Sequence, residues 1–158
     1  MSAALLTAAV LSLVGLLVSF ALGFLADSQE LVLQHATLAI FVTLIMLLAY
    51  SMIMFYLIGK VRAIKDAVEE ADLETDAVAR ASAVRPPVFK LGSVAMAVTM
   101  VTAVIGGGVD TNVIPAGFHL MLGVLAILAN GVALRAVVAA FNESNRIVDE
   151  VNRLLGVE

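Results

Sequence analysis

HATLAIFVTLIMLLAYSMIMFYLIGKVRAIKDAV, residues 35–68, decides the fold. It opens on a histidine and carries no formal charge until Lys60, long enough for one helical crossing of a bilayer. It then turns basic and amphipathic at Lys60, Arg62 and Lys65. A second stretch, residues 119–151, follows the same plan: HLMLGVLAILANGVALRAVVAAFNESNRIVDEV. The chain has two histidines, and each heads one of these segments.

Working outward, residues 4–26 (ALLTAAVLSLVGLLVSFALGFLA) are uncharged and reach about 34 Å as a helix. A signal peptide would want a basic start and a shorter apolar run. This start has neither, so it reads as the first transmembrane helix. Ser12, Gly15, Ser19 and Gly23 form a small-residue stripe suited to close helix packing. Asp27 and Ser28 supply caps for the second helix, which crosses over 35–58. The charged segment 60–83 continues it or lies on the membrane surface, with Val61, Ile64, Val68 and Ala71 on one face. Pro86-Pro87 is expected to end any such helix. The third span is expected over 89–107, stopped by Gly106-Gly107-Gly108. That glycine run lacks the Lys and Ser/Thr of a phosphate-binding loop. Asp110-Thr111-Asn112 is read as capping, with Pro115 in the first turn of the fourth span, 117–140. An extension over 141–158 has its own apolar face: Ile147, Val148, Val151, Leu154 and Leu155.

Composition agrees. Hydrophobic residues are 62% of the 158, against 45–50% in soluble domains. A net charge of −4 without a basic tract gives no footprint for nucleic acid. The absence of cysteine excludes disulfides, iron–sulfur clusters and thiolate zinc sites. All nine basic residues fall in or beside the 60–88 connection or toward the C-terminus. The other two loops hold only Asp27, Glu30 and Asp110 as charges. The positive-inside rule then puts both termini in the cytoplasm. The expected location is an inner (plasma) membrane of bacterial or archaeal type.

Shifting the chain by 84 residues places His35 on His119, Arg62 on Arg146 and Asp66 on Glu150. Upstream, a shift of 83 places Asp27-Ser28 on Asp110-Thr111 and Gly23 on Gly106. The expected fold is therefore all-α: a polytopic four-helix bundle of two parallel helix-hairpin repeats, about 4–83 and 89–158. A pseudo-twofold axis would run along the membrane normal. The second and fourth helices would extend into the cytoplasm, and the imidazoles would face each other near the outer end.

Paired histidines can hold a haem iron or a metal ion. Ala39 and Gly123, one turn below the histidines, are expected to leave room for a macrocycle. The functional expectation is a b-type cytochrome-like electron-transfer subunit holding haem b between His35 and His119. One rival is an interfacial or structural histidine pair in a non-catalytic scaffold, docking a partner through its cytoplasmic helices. The other is a small transporter or channel, against which stands the scarcity of polar groups in the spans. Asn130 lies near mid-bilayer and reads as interhelical glue. Arg135 can snorkel. Met96 and Met100, one turn apart, suit Cu(I), but flexible packing explains them as well. No nucleophile–base–acid set is present. Expected partners are lipid, other membrane or redox subunits, or further copies of the chain.

Overall fold

The computed structural model describes residues 1–157. It is all-helical, with α1 (Ser2–Gly23), α2 (Gln29–Glu70), α3 (Ala77–Ala83), α4 (Arg85–Asp110) and α5 (Ala116–Leu154). Four spans are long and apolar enough to cross a membrane: α1, α2, α3 with α4, and α5.

The helix ends show why the chain turns where it does. Ser28 caps α2, its Oγ accepting from the Leu31 N–H at 3.4 Å. Glu30 in the first turn suits the positive end of the helix dipole. Three helices end in the same reverse turn, in which a left-handed residue lets two N–H groups cap the last carbonyls. After α2 that residue is Asp72 (φ 49°), with Leu73 N–H donating to the Val68 carbonyl. After α4 it is Asn112 (φ 57°), and after α5 Gly156 (φ 68°).

Several boundaries differ from the sequence expectation. The 60–83 extension is two helices, because α2 stops at Glu70 and the chain turns before α3. Ala71 is consequently an exposed cap and not part of the buried stripe. The proline pair does not delay α4 until residue 89. Pro86 and Pro87 sit in its first turn, where a missing N–H costs no helical hydrogen bond. The triple glycine does not stop α4, which runs on to Asp110. A Cβ at Gly108 would lie 2.6 Å from Ile114 Cδ1, so that glycine makes room for the returning loop. Thr111 closes α4 by donating to the Gly107 and Gly108 carbonyls, and Pro115 precedes α5 as its N-cap.

α1 packs on α2 and α4 on α5, while α2 also meets α4 and α1 meets α5. α2 and α5 touch along a shorter line across the middle. Leu11, Phe41, Leu44, Phe55, Val104 and Leu128 point outward, a pattern consistent with helices apolar enough to cross a membrane. The centre holds Met46, Tyr50, Ile53 and Leu57 of α2 against Val88 and Ala95 of α4 and Ala133 and Val137 of α5. Lipid is as apolar as these side chains, so close packing and interhelical hydrogen bonds hold them together. Asn130 Nδ2 donates to Thr99 Oγ1 at 2.9 Å, joining α5 to α4. The Tyr50 hydroxyl donates to the Asn130 carbonyl at 3.2 Å, joining α2 to α5.

Beyond the spans a second core forms. Val61, Ile64 and Val68 of α2 meet Ala77 and Ala81 of α3 and Ile147 and Val151 of α5. The two amphipathic faces read from the sequence cover each other, with α3 wedged alongside. Leu154 stays exposed, and Leu155 lies at the margin. Water surrounds this part, so burying a side chain such as Ile147 contributes about 1.5–3 kcal/mol. Arg80 of α3 is ion-paired to Glu150 of α5 and to Asp76. The Glu150 carboxylate holds the guanidinium above its ordinary pKa.

Candidate functional site

His35 lies in the second turn of α2 and His119 in the first turn of α5. The connections 24–28 and 111–115 bring both helix starts to the same end of the bundle, and α2 and α5 share the short diagonal. Both imidazoles are half-buried. Their ring centres are 6.2 Å apart, with the planes at 83°.

Each ring lies against the neighbouring helix of its own hairpin. His35 Nδ1 is 2.9 Å from the Ser19 carbonyl of α1, close enough for its N–H to donate. In the neutral imidazole that bond would place the proton on Nδ1 and leave the Nε2 lone pair for a ligand. A Cβ at Gly23 would stand 3.3 Å from His35 Cε1. A Cβ at Gly106 of α4 would stand 3.1 Å from His119 Cε1. Both glycines therefore let an imidazole lie close to backbone. His119 Nδ1 is buried without a hydrogen-bond partner; the Thr102 carbonyl faces it but falls outside hydrogen-bond geometry. The Thr102 hydroxyl donates within α4 to Val98, at 2.8 Å, and across to the Leu122 carbonyl at 3.3 Å.

Two imidazoles on opposite sides of one metal, with metal–nitrogen bonds of about 2 Å, hold their ring centres roughly 6 Å apart. The observed spacing and angle are also those of an edge-to-face ring pair. Among the described residues no group of three or more His, Cys, Asp or Glu converges. A site here rests on the two histidines alone.

The small residues below the rings have mixed roles. Ala39 is half-buried and Gly123 buried. Phe20 of α1 lies over Gly123, where a Cβ would be 3.0 Å from its Cδ2. One turn lower Val42 presses on Gly15, its Cγ2 2.7 Å from a Cβ built there. The space expected under the rings is thus occupied on the Gly123 side by an aromatic side chain. Reading the sequence alone missed Phe20 and the carbonyls of Ser19 and Thr102. Gly23 and Gly106 were visible as a matched pair, but nothing local tied them to the histidines.

Of the methionines, Met46 is buried in the core and Met54 packs against Gly92, while Met100 faces outward. No family model, curated protein or solved structure matches this chain.

Proposed function

We propose that the chain is a small b-type cytochrome-like subunit of an inner membrane, in which His35 and His119 would hold one haem near the outer end. The meeting of the chain's two histidines, with ring centres 6.2 Å apart, carries this reading. When bound, the haem supplies one-electron redox chemistry. The chain's own residues ligate and orient. Ser19 fixes the tautomer of His35, while Gly23 and Gly106 let the rings lie flush with the helices. The electron would pass to a membrane or periplasmic partner.

The architecture behind this reading is a pair of parallel hairpin repeats about a pseudo-twofold axis. Support comes from α2 and α5: Val42, Met46, Ala49, Ile53 and Leu57 are buried, and so are Ala126, Asn130, Ala133, Val137 and Phe141, each 84 positions on. Both termini and the α2–α3–α5 extension would then lie in the cytoplasm, as the basic residues require.

One experiment tests the reading. The protein is purified in detergent with haem supplied, and its absorption spectrum recorded. A Soret band lost in His35→Ala and in His119→Ala is expected. A folded, colourless wild-type protein would refute haem binding.

Phe20 over Gly123 favours a second reading, in which the histidines are structural, each packing within its own hairpin of a non-catalytic scaffold that docks a partner through its cytoplasmic helices. On that reading His35→Ala weakens α1–α2 packing, measured as a lower unfolding midpoint, and no form of the protein takes up haem.

A further inference from the structure

Of the nine basic residues four are ion-paired, while Lys60, Arg85, Lys90, Arg135 and Arg153 have no carboxylate within 4 Å among the described residues. Arg62, Lys65, Arg80 and Arg146 each have a carboxylate within 4 Å. Lys90 and Arg135 have no such partner among the described residues, and both are exposed.

Their positions make this unusual. On α4 the buried side runs through Val88, Gly92, Ala95 and Thr99, which puts Lys90 on the opposite, outward side. On α5 it runs through Asn130, Ala133, Val137 and Ala140, which puts Arg135 outward as well. Arg135 stands between Val132 and Val138, themselves exposed apolar residues. It is therefore set within the lipid-facing band. Lys90 is followed one turn on by exposed Val94.

The two cations also share a depth. Asn130 and Thr99 touch, which fixes the register of the antiparallel helices. Lys90 is nine residues before Thr99 and Arg135 five after Asn130, so their Cα atoms lie within about 6 Å of one level. A cation in the apolar band is costly unless it reaches an anion. The described residues offer none, and the phosphate plane is the anion that long side chains at this depth can reach.

We infer that Lys90 and Arg135, on the outward sides of α4 and α5 and at a similar depth, form a binding site for the phosphate headgroup of an anionic phospholipid. The site serves the leaflet on the side of the helical extensions. It does not depend on haem.

Native mass spectrometry of the protein in a neutral detergent tests this, with phosphatidylglycerol and phosphatidylcholine of matched chains as probes. Two near-surface cations favour the anionic lipid by on the order of thirtyfold. The wild type should retain phosphatidylglycerol at correspondingly lower lipid concentration. Lys90→Gln/Arg135→Gln should lose that preference. Arg62→Gln/Arg146→Gln, which removes the same charge from carboxylate-paired positions, should keep it. Equal retention of both lipids by the wild type overturns the inference. So does an equal loss of preference in the two double variants, which would mean that bulk charge alone governs binding.

Discussion

Replacing Gly15 with alanine should drive α1 and α2 apart, and shortening Val42 should bring them back together. A Cβ at Gly15 would lie 2.7 Å from Val42 Cγ2 and 3.3 Å from Cγ1. Carbon atoms pack at about 3.5–4.0 Å, so relief needs a shift of roughly 1 Å. Valine is stiff at χ1 and, being buried, cannot swing aside. Gly15→Ala should therefore cost about 1–3 kcal/mol, as overpacked cores do. The usual helix-propensity gain from glycine to alanine gives little here, because a transmembrane helix stays helical when its neighbours separate. Val42→Ala alone leaves a small void and should cost about 1 kcal/mol. The double variant places one methyl where two were lost and should fall within about 0.5 kcal/mol of wild type. Reversible unfolding in mixed maltoside–dodecyl sulfate micelles, followed by circular dichroism, gives all three values. Additive single effects would show that the two residues do not touch, and would refute the α1–α2 packing described above.

Three further outcomes are expected. A double-mutant cycle on Asn130→Ala and Thr99→Ala should return a coupling of about 0.6–1.7 kcal/mol, read from the same micelle titrations. Ala81→Leu should overpack the junction of α2, α3 and α5, where Ala81 is fully buried; faster proteolysis within 71–85, at unchanged span stability, is the readout. Glu150→Gln should lower stability by less than about 1 kcal/mol, and the difference from wild type should shrink in high salt, because both partners of the Arg80 ion pair are partly exposed.

Much of this fold was legible before any coordinates. Long uncharged runs gave the four spans, and the stripes at Val61, Ile64, Val68 and Ile147, Val151 gave the faces that meet outside the membrane. What escaped has physical reasons. The turn after Glu70 hangs on a left-handed Asp72, which carries no glycine or proline signal. The triple glycine reads as a stop only while its surroundings are unknown; once placed, Gly106 serves His119 and Gly108 serves Ile114. At the site, order along the chain suggested that the two rings meet. The insertion of Phe20 over Gly123 joins residues about a hundred positions apart, and no local pattern encodes it. The carbonyl beside His35 was hidden for a different reason, since every residue carries one.

The second core has a consequence for the chain as it is made. Val61, Ile64 and Val68 need Ile147 and Val151, which are translated some 80 residues later. At 5–20 residues per second, the stripe on α2 stays uncovered on that side for about 4 to 16 s. Leu73 and the α3 residues Ala77, Val78 and Ala81 arrive sooner to shield part of it. Through that interval the nascent protein carries an uncovered apolar strip. Truncation before Ile147 would leave the strip open for good, turning a late-translated helix end into the element that decides whether the newborn chain stays free of aggregation.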